Sequence, residues 1–174
     1  RYMQVTGVQT CALPIYRKRY GSGQQRRGMI KNRTSIDDRP AIVDQKIRIG
    51  DIEGDTVIGK NQQGVIITLV DRVSRFTFAT KAKSKHAKGV AQGIINLLKP
   101  HQHRCHTITV DNGKEFAFHE LVAKQLQVDV YFAHPYHSWE RGLNENTNGL
   151  LRQYFPKKTN FKKVTEQELQ AAIF

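Results

Sequence analysis

The sequence predicts an α/β domain in which a mixed sheet of five strands carries helices on both faces. Three observations predict it. From residue 50 onward, short runs rich in β-branched and aromatic residues are punctuated by glycine and asparagine, the pattern of strands bounded by turns. Residues 84–99 instead repeat their apolar side chains at a helical period. Three strands in a row, followed by alternating helices and strands, join an antiparallel half of a sheet to a parallel half.

The elements follow in order. GDIEGDTVIG (Gly50–Gly59) and GVIITLVDR (Gly64–Arg72) read as strands around a turn at Lys60–Gln63, and RFTFATKA (Arg75–Ala82) as the third strand of a meander. In the helix over 84–99, Ala87, Val90, Ala91, Ile94, Ile95 and Leu98 share one stripe, and Pro100 is its stop. HTITVDNG (His106–Gly113) is a fourth strand closed by the Asn112–Gly113 turn. A helix over 115–126 and the strand VDVYFA (Val128–Ala133) follow.

The stretch HPYHSWERGLNENTNGLLRQYFPKK, His134 to Lys158, reads as a helix with an anomaly. Asn144, Asn146, Thr147, Asn148 and Gly149 all cost helix propensity, so helix stability did not select them. Leu143, Leu150, Leu151 and Tyr154 supply an apolar stripe, while Arg141, Glu145, Asn148 and Arg152 form a polar one. Ion pairing between Arg141 and Glu145 accounts for the charges, at ~0.3–0.5 kcal/mol, but not for the poor helix formers around them.

Outside this core the chain has a different character. Val5 to Ile15, VTGVQTCALPI, reads as the in-frame translation of a sequencing-adapter oligonucleotide, and Arg1 to Gln4 fit the bases ahead of it, so residues 1–15 are set aside. Residues 16–48 lack apolar periodicity and are expected as a basic flexible arm. Arg17, Lys18, Arg19, Arg26 and Arg27, interleaved with Tyr16 and Tyr20, suit phosphate contacts as well as a solvated tail. Residues 49–174 are expected to form the core.

A net charge of +13 and a pI near 10.0 favour a polyanionic partner. No apolar run approaches the ~20 residues of a membrane helix. Only Cys11 and Cys105 occur, which speaks against a disulfide framework and for a reducing cytoplasm.

Carboxylates stand where structure alone does not require them. Alternation puts Asp51, Glu53 and Asp55 on one face of the first strand. Asp111 ends the fourth strand, where open α/β sheets collect ligands, and Glu145 sits on the polar stripe of the last helix. Each acid alone reads as a cap or a solvated side chain. HQHRCH, with His101, His103, Cys105 and His106, lacks the paired spacing of structural zinc. Glu115 reads as a first-turn helix acid, Trp139 as a packing anchor, and Ser138 has no base to orient it.

Taken together, GDIEGDTVIG, TLVDRVSRF, VDNGKEFAFHE and YFAHPYHSWERGLNENTNGLLRQYFPK resemble the transposases of the IS30 insertion-sequence group. The resemblance runs from about Tyr16 to Phe174 and implies a ribonuclease H-like fold, the integrase catalytic core. It also implies a catalytic, metal-ligating triad of Asp55, Asp111 and Glu145. Ile52 stands where such relatives carry tryptophan, which leaves the register between Asp51 and Asp55 open.

Hard oxygen ligands from separate elements suit Mg²⁺, with Mn²⁺ as a substitute, as two ions. The implied reaction is cleavage of DNA at the ends of a mobile element and transfer of the freed 3′-OH into target DNA. Arg141, Asn148 and Arg152 would contact DNA phosphates or position the acids. The implied setting is the bacterial nucleoid, with the protein a homo-oligomer assembled on DNA. Such relatives carry an end-recognition domain and further C-terminal residues, so this chain is expected to be a truncated fragment that binds DNA without transposing. Two rival readings remain: a ribonuclease H-like nuclease or resolvase sharing the acids, and a basic nucleic-acid-binding protein without catalysis.

Overall fold

A computed structural model describes residues 30–82 and 85–173. Its sheet has six strands: β1 (Thr34–Ser35), β2 (Asp51–Ile58), β3 (Val65–Asp71), β4 (Thr77–Ala82), β5 (Thr107–Val110) and β6 (Asp129–Phe132). They lie in the order β1-β6-β5-β2-β3-β4. β2, β3 and β4 form the antiparallel meander, while β5 pairs parallel with β2 and β6 parallel with β5. The five strands expected from the sequence are all present.

Helices cover both faces. α2 (Ala87–Leu98) and α3 (His119–Leu126) pack on one side, where Val90, Ile94, Leu98, Val122 and Leu126 meet Ile67, Leu69 and Ile108. α4 (Gly142–Tyr154) and α5 (Glu166–Ile173) take the other side, where Leu151, Phe161, Val164 and Leu169 meet Val57, Ile66 and Ala79. The two clusters divide β3 by alternation, so every residue of VIITLVD is buried. The Val164–Ile173 amphipathic run thus finds its apolar surface in the meander. Gly50 leads the chain into β2 at φ +102°, and a Cβ there would meet the Arg104 carbonyl oxygen at 1.7 Å. Only glycine meets both demands.

Two sequence expectations need correction. Residues 30–48 are not an extended arm. Ile30 and Val43 are buried, Thr34 and Ser35 pair in parallel with Tyr131 and Phe132, and a short helix, α1 (Ala41–Gln45), follows. Arg39 Nη1 donates to Thr109 Oγ1 at 3.0 Å, and Arg33 donates to the Asn112 side chain. The segment gains order by covering the edge of β6, a long-range gain that leaves no periodic trace in its own composition. Residues 115–126 do not form one helix: a 3₁₀ turn at Lys114–Phe116 precedes α3. α2 ends at Leu98, just ahead of Pro100 as expected, and a 3₁₀ turn follows over Lys99–Arg104.

Residues 1–15 and the basic positions Arg17, Lys18, Arg19, Arg26 and Arg27 lie outside the described residues. The packing of Ile30 and Val43 predicts that the fragment resistant to limited proteolysis retains residues 30–48. A resistant fragment beginning near residue 49 would contradict the docking of 30–48.

Candidate active site

The strand register sorts the three acids of β2. Asp51 pairs with Thr107, Ile52 with Ile108 and Glu53 with Thr109. Continuing that parallel register brings Asp55 level with Asp111, just beyond the end of β5. Asp51 lies at the opposite end, buried, where its carboxylate accepts from Arg48 at 2.8 and 3.2 Å and from Thr107 Oγ1 at 2.8 Å. Glu53, between them, is 2% exposed, faces Arg72 at 3.3 Å and accepts the Asn144 backbone N–H at 3.1 Å.

Asp55 and Asp111 share one cation. Arg141 places Nη1 3.4 Å from Asp55 Oδ2 and Nη2 3.6 Å from Asp111 Oδ2. Asp55 also accepts from Asn148 Nδ2 at 2.9 Å and from the Thr56 N–H at 2.8 Å. Burial nevertheless pushes the Asp55 carboxyl above its ordinary range. Arg141 and the Thr56 N–H oppose that shift, and the charge of Asp111 adds to it.

Asp111 Oδ1 accepts the Gly113 N–H at 2.8 Å. A Cβ on Gly113 would lie 2.8 Å from that oxygen and 2.5 Å from the Glu115 carboxyl carbon, so the turn has no room for a side chain.

The asparagines of α4 dock it on the sheet. Asn144 is fully buried and its Nδ2 donates to the backbone oxygens of Glu53 at 2.8 Å and Thr68 at 3.2 Å. The Thr68 hydroxyl lies 2.9 Å from the amide oxygens of both Asn144 and Asn148. Glu53, accepting from the first turn of α4, places a carboxylate where the helix dipole favours one. The sheet under α4 presents polar groups, so the side of α4 that meets it carries buried Asn144 and half-buried Asn148, and of the apolar stripe expected only Leu151 is buried. Leu150 and Tyr154 are 51% and 65% exposed.

Glu145 is exposed on α4, one turn after Arg141 and one turn before Asn148, the two residues that reach Asp55. Arg152 does not join the acids. Its Nη2 donates to the Ile58 carbonyl at 2.7 Å, its guanidinium lies over the Phe161 ring, and burial lowers its pKa.

Glu115, expected as a first-turn helix acid, stands in the first turn of the Lys114–Phe116 3₁₀ segment, and its burial was not expected. It is 5% exposed, faces Lys85 Nζ at 2.9 Å and accepts from Thr56 Oγ1 at 3.1 Å, beside Asp55 and Asp111. The glycine two residues before it was the available signal, because only a bare Cα leaves that carboxylate its space. Trp139 is not a packing anchor: it is 70% exposed and stacks on His137 at 4.4 Å. His101, His103, Cys105 and His106 form no group of three converging ligands among the described residues.

Comparisons with known proteins agree with this architecture. The chain is 50% identical over 155 residues to the transposase for insertion sequence element IS4351 of Bacteroides fragilis, covering 89% of this chain and 47% of that protein. It is 41% identical over 159 residues to transposase InsI for insertion sequence element IS30A of Escherichia coli (strain K12), covering 87% and 41%. The chain thus spans less than half the length of these relatives.

Among solved structures, the catalytic core domain of BIV integrase matches with a TM-score of 0.53 at 22% identity, over 71% of this chain and 80% of that one. A chain of the simian T-cell lymphotropic virus intasome in complex with PP2A regulatory subunit B56 gamma matches with a TM-score of 0.58 at 23% identity, over 72% and 47%. These likenesses establish the ribonuclease H-like fold. The model of the integrase core domain matches residues 47–138, more than half of the chain and the stretch holding both Asp55 and Asp111, and the chain belongs to the integrase core domain family.

Proposed function

We propose that this chain is the catalytic core of a DNA transposase, which cleaves strands at the ends of an insertion sequence and transfers the 3′-OH into target DNA. The observation that carries the reading is the bridging by Arg141 of Asp55, within β2, and Asp111, just beyond the end of the adjacent strand β5, under the helix that carries Glu145 on its exposed side. The transposase relatives, similar over most of this chain, supply the reaction class.

The residues fit a hard divalent cation. Two carboxylates face a single guanidinium at 3.4 and 3.6 Å, and the raised pKa of Asp55 shows that Arg141 does not compensate its burial. Asp55, Asp111 and Glu145 would hold Mg²⁺, or Mn²⁺ in its place. Two such ions would supply activation of a water or 3′-OH and stabilisation of the leaving oxygen. Asn148 and the Thr56 N–H fix the Asp55 carboxylate. Arg141, now 3.4 and 3.6 Å from the two aspartates, would pass to a DNA phosphate once their charge is neutralised. Tyr136 and Trp139, 99% and 70% exposed ahead of α4, offer stacking surfaces to unpaired bases. DNA is the partner, and assembly of several copies on it follows the intasome likeness. No helix among the described residues is long and apolar enough to cross a membrane.

The test is a chimaera in which residues 30–173 replace the matching core of the 50% identical relative. With labelled element ends and Mg²⁺, joined products are expected. Nicks without joining would favour a ribonuclease H-like nuclease, and DNA binding with neither product would favour a binding protein.

A further inference from the structure

The loop between β6 and α4 carries HPYHSWE, His134 to Glu140, and its side chains converge on one point. His134 Nδ1 lies 2.8 Å from Glu140 Oε1, and His137 Nδ1 lies 3.2 Å from the same oxygen. These are the only three ligating side chains among the described residues whose donor atoms all lie within 4.8 Å of one another. Around a tetrahedral zinc with bonds of ~2.0–2.1 Å, neighbouring ligand atoms stand about 3.3–3.4 Å apart. The separations of 2.8 and 3.2 Å are slightly shorter than that edge length, so small movements would admit an ion.

The surroundings of the three donors also suit a metal. Glu140 Oε2 accepts the His134 backbone N–H at 2.8 Å, which aims Oε1 at the two imidazoles. On the far side of His134, Nε2 lies 3.0 Å from Asp37 Oδ2. A metal-ligating histidine commonly donates its second ring N–H to a carboxylate, which fixes the ring and the tautomer. Asp37 is in that position, on the segment joining β1 to α1. The three donors come from a single loop that is separate from Asp55, Asp111 and Glu145, and two imidazole nitrogens suit a borderline ion where three carboxylates suit a hard one.

We propose that His134, His137 and Glu140 form a second metal site that takes Zn²⁺ or a similar borderline divalent ion. Asp37 orients His134, and water completes the coordination at the exposed side. The site acts as a clip. It ties the loop just ahead of Arg141 and α4 to the segment 30–48, and so holds the helix that carries Glu145. Glu140 first and Asp37 second raise the pKa of His134, so a metal at this site competes with a proton.

The test is zinc titration of the 174-residue chain against a chromophoric chelator, in excess Mg²⁺ to occupy the carboxylate site. One tightly bound equivalent is expected, retained in an Asp55→Asn, Asp111→Asn background and lost in His134→Ala, His137→Ala. Asp37→Asn is expected to weaken the affinity about 10- to 100-fold. X-ray absorption of the wild-type zinc complex provides a readout independent of any variant's folding, and imidazole scattering is expected. No stoichiometric zinc, zinc persisting in the double histidine variant, zinc lost with the aspartates, or a coordination shell without imidazole would each overturn the proposal.

Discussion

Asp55→Asn, Asp111→Asn and Glu145→Gln, each placed in the chimaera that carries this core, are expected to lower DNA strand cleavage on the order of 10³-fold or more while DNA binding persists. The separation follows from where the charges lie. On the proposed reading, removing a ligand carboxylate would remove a cation that the reaction needs, and groups acting as one unit lose nearly all activity when one is removed. Phosphate contacts rest instead on lysine and arginine, which these changes leave in place.

The same site fixes a pH dependence. Burial raises the folded pKa of Asp55, so the ionised form that holds a cation is depleted as pH falls through that raised value. Cleavage should therefore decline on acidification earlier than an exposed carboxylate would impose. Without metal the sign for stability is opposite: the folded state binds this proton more tightly than the unfolded chain does, so acidification through that window stabilises the fold. Wild-type cleavage by Asp55→Asn would remove Asp55 from the reaction.

Asn144→Ala is expected to destabilise the fold by about 2–4 kcal/mol in chemical denaturation, through loss of a buried donor to two backbone carbonyls. Both acceptors, the oxygens of Glu53 and Thr68, belong to the sheet beneath α4. The control is Asn146→Ala two residues on. Asn146 is exposed, so its replacement should change stability by no more than about 0.5 kcal/mol. Equal effects at the two positions would mean that the asparagines do not dock the helix. Because Asn144 neighbours Glu145, the alanine variant should also lose cleavage in proportion to the displacement of α4.

Much of the architecture was present in local pattern. The alternation in GVIITLVDR and the stripe from Ala87 to Leu98 carry their own periods, since each element buries a face and the period of burial is written into its residues. The DNGKEF and NENTNG motifs likewise marked Asp111 and Glu145 as unusual. Sequence periodicity by itself determined the five main strands, the meander joined to a parallel half, and the helix on which Glu145 rides.

Tertiary structure decided what depends on partners distant in the chain. Whether Asp51 or Asp55 stands beside Asp111 is a matter of register between β2 and β5, and all three acids of β2 share the same alternation. The burial of Asn144 in place of Leu150 follows from polar groups on the strands beneath, which the helix's own periodicity cannot report. Residues 30–48 gain order at the edge of β6, and Glu115 is buried through its contacts with Thr56 and Lys85. In each case, the deciding energy is a hydrogen bond, ion pair or burial against another element, and local composition holds no record of which element that will be.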